Sequence, residues 1–237
     1  MTALAFRRLG LDLTPRQLTD YGWAWAEQRR LHQAVVDGQA PDSVLLLEHA
    51  SVYTAGRSTS AEDRSGAGPE LVEVDRGGKV TWHGPGQLVG YPIVKLPSGI
   101  YVVDFVRRVE EALIRVLRDL GLTAGRVPGR TGVWLPARDG RPERKLAAIG
   151  LRVSRQVTMH GFALNVDPDL TAFDRIVPCG IRDAGVSSLA WELPQAPAFL
   201  AVTAAVEAQL ADLLAFRDFS PSPDLPRQTR PGLDRVA

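Results

Sequence analysis

Between Ser43 and Asn165 the chain is a succession of short apolar runs at hairpin-like spacing, interrupted by one long helical pattern. SVLLLE (43–48), SVYTAGR (51–57), Leu71–Asp75, Lys79–His83, Gln87–Leu96, Gly132–Leu135, Lys145–Ser154 and Thr158–Asn165 all have strand length and turn-forming boundaries. Parallel neighbours need crossovers of a dozen or more residues, and most of these connections are shorter. The succession therefore predicts a mixed, largely antiparallel sheet with packed helices: an α+β fold, not a doubly wound one.

Three helices fit between the strands. A first strand at Leu4–Leu9 leads to Thr14-Pro15, a cap followed by a proline suited to a first helical turn. Tyr21–Val36 then carries Ala24, Leu31 and Val35 at helical spacing, with Gly38 to end it. Val103–Leu120 has the strongest period, with Val106, Val109, Leu113, Val116, Leu117 and Leu120 on one face, Asp104 in the first turn and Gly121 beyond the end. The last helix spans about Ala198–Phe216. We expect one domain over residues 1–217, an exposed loop at 58–70 and a proline-rich tail at 218–237 without fixed structure.

Twenty-eight basic against 27 acidic residues give no bulk charge for nucleic acid or a membrane surface. No apolar run approaches the length of a membrane span. The N-terminus lacks an export-type apolar core, and Cys179 has no second cysteine to pair with, so a reducing cytoplasm is expected.

The densest constellation is RGGKVTWHGPGQ (76–87). It matches neither the P-loop nor the dinucleotide fingerprint, and strands flank it where an anion site would open a helix. Gly77-Gly78 suits close backbone approach, between strands or to a ligand, and Pro85 fixes a turn after His83. The histidines at 32, 49, 83 and 160 lack metal-ligand spacing, so no metal is expected. Cys179, in IVPCGI, is either a small buried apolar residue or a turn-exposed nucleophile. Lys145, opening an apolar strand, either reaches solvent or supplies the cation a reactive thiol needs.

RGGKVTWHGPGQLVGYP (76–92), RKLAAIGLRV (144–153), MHGFALNV (159–166) and IVPCGI (176–181) together resemble the octanoyltransferase family, the lipoyl(octanoyl)-protein transferases, over about 44–189. The resemblance implies the fold of biotin- and lipoate-protein ligase catalytic domains. It implies transfer of octanoyl from octanoyl-acyl carrier protein to a lysine of lipoyl domains, in 2-oxoacid dehydrogenase complexes and the glycine cleavage H protein, without a cofactor. Cys179 matches the thioester-forming nucleophile and Lys145 the residue that lowers its pKa. The substrate-binding residues implied are Arg76, Gly77, Gly78, Lys79, Val80, Thr81, Trp82, His83, Ala148, Ile149, Gly150, His160, Gly161, Phe162 and Ala163, with His49 nearby.

An acyl groove lined by Gly77, Gly78, Ala148 and Gly150 fits that chemistry. Arg57, Arg76, Arg144 and Arg152 are candidates for a basic patch facing an acidic carrier. Two rivals stand beside this reading. An ATP-dependent lipoate-protein ligase on the same fold would need no cysteine, and a non-catalytic acyl-binding protein would leave Cys179 unreactive.

Overall fold

A computed structural model describes residues 4–60, 63, 71–176 and 184–226. Its main sheet runs in the order β1 (Ala5–Leu9), β2 (Ser43–Leu47), β6 (Gln87–Ile93), β10 (Val157–Asn165), β9 (Arg144–Ser154), β8 (Arg130–Leu135) and β7 (Gly125–Val127). The β1–β2 pair is parallel, with helix α1 (Tyr21–Val36) as its crossover, and the other neighbours on this path are antiparallel. Two-residue β11 (Gly185–Val186) lies parallel to the start of β9. A smaller sheet has β3 (Val52–Ala55) between β4 (Leu71–Glu73) and β5 (Val80–His83).

Both faces of the main sheet are covered, so β2 and β6 are buried throughout and, apart from Ser43 and Gln87 at their starts, carry no polar side chain except the Tyr91 hydroxyl. Val44, Leu46, Leu88, Leu164 and Val133 pack with α2 (Val102–Asp119) and α3 (Phe199–Leu213). Their strand neighbours Leu45, Leu47, Val89 and Ala163 pack with α1 through Ala24, Leu31 and Val35. Each fully buried Leu or Phe contributes roughly 1.5–3 kcal/mol over an exposed one, so two opposed layers hold the sheet more firmly than one could. Among the described residues, no helix is long and apolar enough to cross a membrane.

Several local expectations change. α1 starts at Tyr21 because the Asp20 carboxylate accepts the Trp23 N–H at 2.8 Å, and Thr14-Pro15 lies before it across a cis peptide bond. The buried face of α2 is rotated so that Phe105 and Ala112 enter the core and Val106 is only half-buried. β4 and β5 do not pair with each other across Gly77-Gly78; they flank β3, and the turn between them folds onto β9, where Gly77 N–H donates to Leu151 O at 3.1 Å.

The expected free tail is corrected for residues 218–226. The Ser222 hydroxyl donates to Glu111 at 2.9 Å, Arg126 pairs with Asp224 at 2.9 Å, and the Leu225 N–H donates to Arg126 O at 2.8 Å. Arg126 and Glu111 are buried charges whose hydrogen-bonding capacity α2 and β7 alone do not fill, and the tail completes it. Residues 227–237, and most of the 58–70 loop, lie outside the described residues.

Candidate active site

A cleft opens on the α1 side of the sheet. Its walls are Tyr21 from α1, Arg76, Gly78 and Lys79 from the turn, Thr81 and His83 from β5, Tyr91 from β6, Ala148–Gly150 from β9 and His160–Ala163 from β10. Strand alternation sorts the β5 residues: Thr81 and His83 face the cleft, whereas Val80 and Trp82 turn into an apolar cluster with Tyr53, Phe173 and Ile176. Of the substrate-binding residues implied by resemblance, Val80, Trp82 and Gly77 therefore fall outside the cleft lining. Tyr21 and Tyr91 belong to it, although no motif had marked them.

Buried Arg76 fixes the turn. Its guanidinium donates to Thr54 O and Oγ1 at 2.9 and 2.8 Å, to Lys79 O at 2.8 Å and to Gly77 O at 3.0 Å. Here the glycines serve backbone approach more than open space. A Cβ on Gly150 would stand 2.9 Å from Gly77 O, and one on Gly56 would stand 2.4 Å from Gly78 O. This corrects the expectation that Gly77 and Gly150 are small chiefly to clear an acyl chain.

Lys145 owes its position to a bulge. Val133 pairs with Ala147 and Trp134 with Lys145, so β9 carries one residue more than β8 between these pairs. Leu146 and Ala147 consequently both enter the core, and Lys145 is turned out of it. Its ammonium rests 4.6 Å from the Trp134 ring centroid, a cation–π contact in a buried setting. Gly132 gives it room, since a Cβ there would lie 3.5 Å from Lys145 Cε and 2.5 Å from Ala147 O.

Cys179 lies outside the described residues. The described chain on its C-terminal side reaches β9 beside the lysine: Val186 is in register with Lys145, and the Ser187 N–H donates to Lys145 O at 3.0 Å.

Three histidines have lowered pKa values here. His49 Nδ1–H donates to Thr19 O at 2.9 Å, so Nε2 accepts the Tyr91 hydroxyl at 2.7 Å; burial pushes its pKa down to about 4. It stands behind the wall and not in it. Burial, with His49 adding to it, pushes His83 down to about 3. His160 is lowered by burial against the opposing pull of Asp75, which its Nε2 meets at 2.6 Å.

His160 has φ +57°, in the left-handed region, and its N–H donates to Gln28 Oε1 at 2.9 Å. Simple alternation with core-facing Phe162 would send it to the opposite side; the kink brings it to the cleft, against Trp25 of α1. Burial also raises the Tyr21 hydroxyl to about 12. Among the described residues, no group of three or more His, Cys, Asp or Glu is placed to hold a metal ion.

The expected basic patch is corrected. Arg76 is spent on backbone oxygens, Arg144 is paired with Glu192 at 2.7 Å, and Arg152 is paired with Asp75. Only Arg57 of the four is exposed without an ion pair among the described residues.

Residues 20–211 match the lipoyl protein ligase A/B catalytic domain family. An octanoyltransferase from Cutibacterium acnes is 52% identical over 96% of this chain and 86% of its own length. One from Salinispora arenicola is 64% identical over 73% of this chain and 82% of its own. Among solved structures, the bipartite lipoate protein ligase of Thermoplasma acidophilum shares the fold, with a TM-score of 0.61 at 16% identity over 93% of this chain and 86% of that one. Sequence identity at this level, on a ligase-type fold, makes the chain an enzyme of the octanoyltransferase family, within the lipoyl protein ligase A/B catalytic domain family.

Proposed function

We propose that the chain transfers octanoyl from octanoyl-acyl carrier protein to a lysine of lipoyl domains, in the cytoplasm, through a thioester on Cys179. The observation that carries the reading is the bulge that lifts Lys145 out of the core, beside the strand into which the Cys179 segment leads.

In the first step the Cys179 thiolate attacks the carrier thioester carbonyl, a new C–S bond forms and the carrier thiol leaves. Lys145, as a cation, stabilises the thiolate and donates the proton the departing thiol takes up. In the second step the acceptor lysine attacks the acyl-enzyme, a C–N bond forms and the C–S bond breaks. Lys145, now neutral, takes the proton lost by the amine and returns it to the cysteine sulfur. Thioester exchange is close to isoenergetic and amide formation is downhill, so no nucleotide is consumed. Ala148 and Ala163, neighbours in register on the α1 side of the sheet, offer apolar surface for the acyl chain.

The test supplies octanoyl-carrier and a lipoyl domain without nucleotide, and separately free octanoate with ATP. Amide formation in the first mixture alone is the expected result. Efficient transfer in the second would mean an ATP-dependent ligase, and transfer in neither would leave only acyl binding.

A further inference from the structure

The protonation state of His83 is fixed by a chain of hydrogen bonds that ends on a backbone carbonyl. Ser187 O can only accept, so the Asn165 amide must present Nδ2 to it, at 2.9 Å. Asn165 Oδ1 then faces Gln87, whose Nε2 must donate, at 2.8 Å. That leaves Gln87 Oε1 for His83, at 2.7 Å, and an amide oxygen can only accept. His83 Nδ1 therefore carries the proton, and Nε2 is a bare lone pair with no hydrogen-bond partner among the described residues. With Nδ1 turned toward β6, the Nε2 edge of the ring is the one that borders the cleft. Tyr21, nearly parallel to it at 6.2 Å, holds the ring plane. The chain ends on Ser187, whose N–H is bonded to Lys145 O, so His83 is tied to the backbone that bears the proposed proton carrier.

We infer that His83 Nε2 accepts one N–H of the acceptor lysine's amine in the second step and so aims the nitrogen lone pair at the acyl carbonyl. The inference rests on the thioester reading above. The amine keeps the proton it shares with His83 as the amide N–H, and its one leaving proton goes to Lys145 and on to the cysteine sulfur, so the C–N bond forms and the C–S bond breaks without charging the imidazole. An imidazole locked in the opposite tautomer would present a donor, which an amine can meet only with the lone pair it needs for attack.

The experiment separates the half-reactions. Acyl-enzyme formation from octanoyl-carrier is followed by rapid-quench mass spectrometry, and its discharge by a lipoyl domain is timed on pre-acylated protein. For His83→Leu, discharge is expected to slow by about 10- to 100-fold, the worth of one hydrogen bond to a reacting group, while acylation changes by less than about threefold. His83→Gln, which restores an acceptor oxygen, is expected to recover much of the loss. Equal slowing of both half-reactions, or of neither, overturns the inference. A second readout does not depend on that variant's folding: long-range ¹H–¹⁵N spectra of the full chain should show His83 protonated at Nδ1, and Asn165→Leu should increase the Nε2–H form. Nε2–H in the unmodified protein overturns the assignment. If the unmodified chain forms no acyl-enzyme at all, the thioester reading fails first, and the tautomer is still read by the spectra.

Discussion

Lys145 sits on the face of Trp134, with its ammonium 4.6 Å from the ring centroid, and the β9 bulge puts it there. The contact is of the cation–π kind, with the ring face turned to the ammonium. Trp134→Phe keeps a π face and should lower turnover only several-fold. Trp134→Leu removes it and should cost about 1–2 kcal/mol in transition-state stabilisation, or roughly 5- to 30-fold in kcat/KM. Steady-state kinetics with melting curves alongside would check this; equal activities for the two variants would mean the ring only fills space.

Substitution of Lys145 itself separates charge from proton transfer. Lys145→Ala should slow both half-reactions. Lys145→Arg keeps a cation for the thiolate but cannot become neutral, so acylation should survive far better than transfer to the acceptor. Rapid-quench measurement of each half-reaction gives the comparison, and parallel losses in the arginine variant would show that geometry outweighs proton movement.

Gly150→Ala probes the turn. Its Cβ would meet Gly77 O at 2.9 Å and Arg76 Cδ at 3.2 Å, so the turn must shift. We expect about 1–3 kcal/mol of destabilisation and a raised KM for the acyl donor. Urea unfolding and donor titration measure the two effects separately.

Acid should weaken the fold before the carboxylates respond. The unfolded chain protonates His49 and His83 near pH ~6.5, whereas the folded chain resists until about 4 and about 3. Their contribution is fully present above the unfolded value. Below it the unfolded state binds more protons, so stability falls as pH drops from about 6.5 toward 4. Urea midpoints at pH 7.5 and 5 should differ, and a His49→Gln variant should show a smaller difference. A flat profile would mean that these histidines protonate as freely folded as unfolded.

Truncation after Arg217 removes the bonds from Ser222, Asp224 and Leu225 to Glu111 and Arg126. It should cost about 1–3 kcal/mol and promote association through the uncovered edge of β7. Urea midpoints and light scattering would report both effects.

Much of this architecture is legible from local pattern. Long strands such as β9 and β10, and the three long helices, carry enough periodic apolar residues to be read within a few positions. Two-residue β11 and three-residue β7 have no period of their own and exist through pairing with a neighbour. Proline and charge in the tail suggest disorder, while the buried Glu111 and Arg126 that hold Ser222 and Asp224 lie about a hundred residues away in sequence. In the site, a motif does not say which side a residue faces: only the pairing of β5 decides that His83 faces the cleft and Trp82 does not. Gln87 and Asn165 stand out as polar residues ending apolar strands, a signal that becomes meaningful once β6 and β10 are seen side by side.

The central claim is a covalent relay through Cys179, and peptide mapping tests it most directly. The full chain is exposed to octanoyl-acyl carrier protein, digested and mapped by mass spectrometry, then chased with a lipoyl domain. The account predicts one octanoyl group on the peptide containing Cys179, none in Cys179→Ala, and its quantitative appearance on a single lipoyl-domain lysine after the chase. Transfer to that lysine by Cys179→Ala at the unmodified rate would contradict it.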